Sequence, residues 1–228
     1  MEESSSTTGE IEQRVLDAAR GLFTHYGYDK TTMNDIVRES GVAKSTIYLR
    51  WKKKEDLFMA LVWREARDYT ADWFSRIEAD PSGGTYANFM RHALEAYFAN
   101  PFLTALYTSD RRVMGRMTEQ LGVEHLFQRR MGLFLHFFQE MQRAGVVRQE
   151  IDGQALAYLM NSLHFGLLQI SGNLPDEITP PIDKVMNMMV QMVDTLVTPE
   201  GGGDSEKGKQ ILRDFKRRLD EWIQDLDQ

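Results

Sequence analysis

From residue 11 to residue 226 the apolar side chains recur at spacings of three and four, and no stretch alternates with a period of two. A three-to-four repeat gathers apolar groups into one stripe of a helix, whereas a sheet face needs every second residue. The chain is therefore expected to be all-α. With 228 residues, 42% hydrophobic and 27% charged, it has enough apolar surface to bury a core, which excludes a disordered or low-complexity chain.

Breakers divide this pattern into elements. Ile11, Val15, Leu16, Ala18, Ala19, Leu22, Phe23 and Tyr26 form the first stripe, and Gly27 stops it. Thr32 can cap a short helix to about Ser40, with Asp35 three residues on as capping-box partner, and Gly41 ends it. A third short helix covers about 42–51. A long fourth begins at Lys54, carries Leu57, Phe58, Leu61, Val62 and Ala66, and continues past Trp73 to Ile77. Residues 80–84, Asp-Pro-Ser-Gly-Gly, break the chain. Helices then follow over 86–99, through Tyr107 after Asn100-Pro101, over 122–144, from Asp152 to Ser171, and over 182–197. Gly201-Gly202-Gly203 is a flexible link, after which Asp204 or Ser205 can cap a last amphipathic helix bearing Ile211, Leu212, Phe215, Leu219, Trp222, Ile223 and Leu226. Four regions result: a disordered tail over 1–10, a small head over 11–56, a helical body over 57–200, and a linker with an additional helix over 201–228.

Net charge is −7, but residues 30–54 carry seven bases against Asp35 and Glu39, a local +5 that leaves −12 elsewhere. A basic head on an acidic body suits phosphate contact, although a solvated basic helix face has the same composition. With no cysteine, disulfides, thiolate metal sites and thiol nucleophiles are excluded, and a reducing, cytoplasmic location is expected. The N-terminal Met-Glu-Glu-Ser-Ser-Ser is acidic and polar where a signal peptide would be basic then apolar, and no apolar run reaches the roughly 18 residues that span a bilayer, so neither export nor membrane insertion is expected. The five histidines form no His-Glu-x-x-His pair, and neither a nucleophilic serine elbow nor a glycine-rich phosphate loop occurs. Neither catalysis, a metal nor a cofactor is expected.

The two short helices meeting at Gly41 have the size and spacing of a helix-turn-helix, whose second helix enters the major groove while the first crosses the backbone. Ile36, Val37, Val42 and Ile47 would fix the angle. The run Thr32-x3-Ile36-x4-Gly41-Val42-x2-Ser45-Thr46-Ile47-Tyr48-x2-Trp51-x2-Lys54-Glu55-x-Leu57, preceded by Phe23-x3-Gly27-Tyr28, resembles the DNA-binding domain of TetR-family transcriptional regulators over roughly residues 11–58. The resemblance implies a homodimer on a pseudo-palindromic double-stranded operator, a three-helix head, and a larger helical body that binds a small effector and dimerises. It also puts phosphate contacts at Thr32, Thr46, Tyr48, Lys52 and Lys54, which fix register without reading sequence. Lys44, Ser45, Leu49 and Arg50 fall on the exposed side of the recognition helix, where Arg50 or Lys44 could bond guanine and Leu49 touch a thymine methyl. Many members carry an aromatic residue and then histidine where this chain has Leu49 and Arg50, so base preference does not carry over.

Aromatic and methionine side chains crowd the body. Phe98, Phe102, Tyr107, Arg111, Met131, Phe134, Phe138, Asn161 and Phe165 are the candidate wall of a pocket for a largely apolar molecule, and the same residues would serve equally as helical core. Ile182, Val185, Met186, Met189, Met192, Val193 and Leu196 form a seam that fits a dimer partner or an internal neighbour, facing Leu159, Ser162, Leu163, Gly166 and Ile170. The expected function is a ligand-responsive repressor that leaves its operator when the effector binds. The alternative is a DNA-binding regulator whose body only dimerises or contacts a protein.

Overall fold

The computed structural model describes residues 2–107, 123–171, 175 and 177–226, and among them it contains helices and no strand. The helices are α1 (Glu2–Tyr26), α2 (Met33–Ser40), α3 (Lys44–Arg50), α4 (Lys54–Ala79), α5 (Tyr86–Phe98), α6 (Pro101–Tyr107), α7 (Val123–Arg143), α8 (Gly153–Ser171), α9 (Ile182–Val197) and α10 (Ser205–Leu226). Two units form. One takes the chain up to Ala66 together with α6, and the other takes the stretch from Arg67 to Asn100 with α7 to α10. The division thus falls inside α4, not at residue 56, because α4 is one continuous helix whose apolar residues serve both cores. Helix α1 also starts at Glu2, where the sequence suggests a disordered tail over 1–10. Once a helix is nucleated each further residue adds a hydrogen bond, so polar residues can extend it without an apolar stripe.

In the first unit Val15, Leu16, Ala19, Leu22 and Phe23 of α1 are buried with Ile36, Ile47, Leu57, Phe58 and Leu61. Phe58 meets Phe23, Tyr28 and Phe102 at ring-centroid distances of 5.2, 5.1 and 5.8 Å. Helix α2 has the capping box read from the sequence: Asp35 N–H donates to Thr32 Oγ1 (3.2 Å) and Thr32 N–H to Asp35 Oδ2 (2.9 Å). Gly41 ends it at φ 64°, a left-handed conformation that a side chain would strain. Charge is buried here as well. The Arg64 side chain, 6% exposed, gives one nitrogen to Asp17 (2.8 Å) and Gln13 (3.3 Å) of α1 and another to Glu65 (2.8 Å), which also faces Arg20 at 3.6 Å. Each buried charge has an opposite partner, the condition under which burial is tolerated.

In the second unit α10 is part of the core and not an appendage. Its Leu212, Phe215, Leu219 and Ile223 are buried, and Phe215 lies 4.9–6.3 Å from the rings of Trp73, Phe74, Phe89, Phe134 and Phe137. Asp204 caps α10 by accepting from Lys207 N–H (3.0 Å), which leaves Ser205 Oγ to bridge the α4–α5 turn, donating to Pro81 O (2.9 Å) and accepting from Gly84 N–H (3.1 Å). Arg213 makes a two-pronged contact with Glu78 (2.8 and 2.9 Å). Two glycines allow this approach: a Cβ on Gly84 would stand 1.8 Å from Ser205 O, and one on Gly208 1.9 Å from Gly84 O. Helix α9 turns Met189, Val190, Val193 and Val197 inward, packing on α5, and leaves Met188, Met192 and Leu196 outside. The seam is thus divided: its Met189 and Val193 are internal, while Met192 and Leu196 are exposed.

Alanine at Gly208 should lower stability by about 3 kcal/mol or more in urea unfolding, the reverse of the gain expected for glycine to alanine within a helix, because the new methyl meets backbone. Gly21→Ala, with open space around it, should gain up to about 1 kcal/mol. Thr32→Ala should cost about 1 kcal/mol by removing the cap. Hydrogen bonds from Thr32, then the Arg38 guanidinium, hold the Asp35 carboxyl below the usual carboxylate range. The folded pKa is depressed, so this contribution is complete above about pH 4 and is lost as acid takes the pH down through the folded value. The stability gap between wild type and Asp35→Asn should accordingly close in acid.

Candidate nucleic-acid interface

The reading surface starts from one inward residue. Of the seven residues of α3 only Ile47 is buried; with Val42, Trp51 and Ile36 it seats the helix on the head, so Lys44, Ser45, Thr46, Tyr48, Leu49 and Arg50 are all exposed. At 3.6 residues per turn, Lys44, Ser45, Tyr48 and Leu49 share one face. Leu49 is 85% exposed, so its apolar surface is available to a thymine methyl. The Lys44 ammonium stands 5.6 Å from the centre of the Tyr48 ring.

The framework is tied from behind. Arg14 of α1 donates to Ser40 O at the end of α2 (2.8 Å), and Ser40 Oγ accepts from Val42 N–H (3.3 Å) across the turn. These contacts fix the angle between α2 and α3, on which groove entry depends. Arg14 was not legible as a functional residue, since its spacing marks only the polar side of α1.

The sequence-derived candidates separate by what they touch. Lys52 is exposed in the link to α4, as a phosphate contact requires. Thr32 is exposed, with its hydroxyl engaged by Asp35. Lys54 differs: its ammonium donates to Tyr28 O (2.7 Å) and Thr31 O (2.9 Å) and lies 4.0 Å from the Tyr28 ring centre, which fastens the start of α4 to the α1–α2 turn. Arg50 has its Nη2 2.7 Å from Oε2 of Glu12, an acidic residue that no motif or spacing singles out.

The described candidate pocket residues belong to both units. Phe102 packs on Phe58 in the first unit. In the second, Phe138 is buried edge-on to Tyr86 at 5.4 Å, and the half-buried Phe134 lies 5.3 Å from Phe215. Asn161 Nδ2 donates to Ala157 O (2.8 Å) and reaches Met131 Sδ (3.0 Å), and Phe98 is half-buried on α5. Arg111 and the side chains of Tyr107 and Phe165 lie outside the described residues. A groove of about 480 Å³ lies between α1 and α2, lined by charged residues such as Asp17, Lys30, Asp35 and Arg38 together with Ala18, Leu22 and Tyr26. Among the described residues no His, Asp and Glu group could hold a metal ion, and no helix is long and apolar enough to cross a membrane.

Comparison with known proteins points the same way. Residues 15–61 match the model for bacterial regulatory proteins of the tetR family. The HTH-type transcriptional regulator QacR of Staphylococcus aureus is 32% identical over 63 residues, 28% of this chain and 34% of that protein. The HTH-type transcriptional repressor Rv1474c of Mycobacterium tuberculosis is 25% identical over 177 residues, 77% of this chain and 90% of that one. The matched segment spans only a quarter to a third of the first curated relatives, YfiR of Bacillus subtilis and QacR. In fold, the chain resembles the transcriptional regulator FadR from Bacillus subtilis in complex with stearoyl-CoA, with a TM-score of 0.56 and 14% identity over 79% of this chain and 96% of that one. A matched head of 47 residues, a repressor aligned along most of its length at 25% identity and a shared all-helical fold agree that the chain carries the DNA-binding head of the tetR family of bacterial regulatory proteins on a body of similar fold.

Proposed function

We propose that the protein is a sequence-specific DNA-binding repressor that works as a homodimer and leaves its operator when a small, largely apolar molecule binds the body. The observation that carries the DNA reading is α3, which buries Ile47 alone and exposes a lysine, two hydroxyl residues, a tyrosine, a leucine and an arginine on a head whose adjoining sequence is locally +5. Phosphate contacts from Thr32, Thr46, Tyr48 and Lys52 set the register, and Lys44, Ser45, Leu49 and Arg50 read base edges. Lys54 acts mainly on architecture, since its ammonium already holds two carbonyls.

Dimerisation uses the outward face of α8 and α9, where Tyr158, Leu159, Met188, Met192 and Leu196 are exposed apolar residues on adjoining stretches of chain. Isolated exposed leucines are ordinary, but five such residues on two helices favour an interface. Two-fold pairing then sets two heads on half-sites about one helical turn apart. Helix α4, about 39 Å long at 1.5 Å per residue, contributes to both units and is the element through which effector binding alters the heads. Moving the operator from almost full to almost no occupancy requires about 5.5 kcal/mol of differential effector affinity, which two sites can share.

The sensing step is supported by the fold-level likeness to FadR, solved with stearoyl-CoA, and by the half-buried Phe98, Met131 and Phe134. A second reading, a body that only dimerises or contacts a protein, is favoured by Phe215, whose ring fills the aromatic cluster. Native mass spectrometry of the purified protein separates the two: a dimer that takes up acyl-CoA or another apolar probe stoichiometrically supports sensing, and a dimer that takes up none supports the second reading.

Selection from a randomised duplex pool should yield an enriched operator. On it, Arg50→Ala should weaken binding by about 1–3 kcal/mol while leaving unrelated DNA little changed, and Lys52→Ala should weaken both and flatten the salt dependence by about one unit of log–log slope. Met192→Glu should give a folded monomer by light scattering, since the side chain is 59% exposed within one chain. A Met192→Glu protein that remains dimeric would remove this face from the interface.

A further inference from the structure

The recognition helix has little of its own to hold it. At seven residues α3 is too short to be stable alone, its N-cap Ala43 offers no side-chain acceptor, and Ile47 is its one buried residue. Its direction therefore depends on the turn that leads into it. There Gly41 takes the left-handed conformation at φ 64°, its N–H donates to Val37 O (3.1 Å), and Val42 N–H donates to Oγ of the buried Ser40 (3.3 Å). A tie from outside this hairpin comes from Arg14 of α1. Its Nη2 donates to Ser40 O (2.8 Å), a carbonyl of the last turn of α2, where the helix itself supplies no N–H. A Cβ on Gly41 would stand 3.4 Å from the same nitrogen, so the guanidinium lies against the turn itself.

We propose that Arg14 is a positioning residue for base reading: by holding the α2–α3 turn it keeps α3 at the angle from which its side chains reach base edges, and so governs discrimination between DNA sequences and not affinity for DNA at large. This rests on the DNA-reading function above. Nothing at Arg14 has to be broken when DNA binds. The bond is made in the free head and kept in the complex, so it raises the share of molecules that are ready to read. A protein whose competent arrangement is only part of its population binds more weakly by that fraction. The loss falls unequally on the two kinds of complex. Base-edge contacts need one angle of α3, whereas side chains reaching phosphates adapt to a range of angles, so a loosened turn weakens the operator complex and leaves a non-specific one nearly unchanged. A hydrogen bond from a charged donor is worth roughly tenfold in an equilibrium, which sets the size of the effect. Arg14 thus acts on the ratio of the two affinities, the quantity that governs occupancy when non-specific sites vastly outnumber specific ones.

The test uses the full-length protein with Arg14→Ala and Arg14→Lys. Each is measured on the duplex that wild type enriches from a randomised pool and on a shuffled duplex of the same composition, over a series of ionic strengths and well below its own thermal midpoint. Arg14→Ala should bind the enriched duplex about tenfold more weakly and the shuffled one less than about twofold more weakly, with the salt dependence unchanged. A pool selected with it should yield a broader consensus. Arg14→Lys, which keeps a cationic donor for the Ser40 carbonyl, should recover most of the loss. Equal losses on both duplexes would overturn the proposal: with a log–log salt slope flatter by about one unit they make Arg14 a phosphate contact, and with the slope unchanged a support for the fold of the head as a whole. No loss on either duplex would overturn it too, since the turn would then hold α3 without Arg14. If wild type enriches no duplex, the DNA-reading function fails first and the role of Arg14 with it.

Discussion

Helix α4 has to be buried along two successive stretches, and the rest of the structure depends on that burial. Leu57, Phe58 and Leu61 are fully covered in the first unit, and Trp73, Phe74 and Ile77 are covered in the second. Between them come Arg64, Glu65 and Thr70, polar residues that are buried as well. A helix of this length does not hold such a pattern by propensity; packing of its covered faces holds it. The helix runs unbroken through Ala66 and Arg67, so the two units share one element.

Charge is used in two ways. At Arg64 and Glu65 it is buried, matched and multiply bonded, so losing one partner would strand the other and break the junction between α1 and α4. At Arg50 and Glu12 it is partly exposed and held by a single contact, which is worth at most about 1 kcal/mol. The same pair of chemical groups is buried and multiply bonded in one place and partly exposed with one contact in the other, and burial makes the difference in how much each holds. Lys54 belongs with the fastenings although it lies in the basic run, because two carbonyls and an aromatic face surround its ammonium.

Much of the head was legible because its determinants are local. Thr32, Asp35 and Gly41 mark the ends of α2 through contacts spanning three or four residues, and the pattern around Ile47 identifies which side of α3 must face in. Glu12, Arg14 and Lys54 were not legible in the same way. Each acts across 23 to 38 residues of chain, and nothing in a spacing of three and four records which polar residue on an outward stripe finds a distant partner. In the body, periodicity gave the faces of α9 but could not divide them, so residues of one seam turned out partly internal and partly free.

The amino-acid sequence determined the helical class, the order and ends of most helices, the basic reading head and the family resemblance, since all of these follow from periodicity, caps and short motifs. Tertiary structure decided that the division between units falls within α4, that α10 belongs to the core, and that Phe215 occupies the aromatic cluster. It also decided which charges are buried with partners and which stay partly exposed. The physical reason is the same in each case: a glycine contact such as Gly84 with Ser205, or a ring contact such as Phe215 with Phe137, joins residues more than seventy positions apart, where close packing and not local preference selects the neighbour.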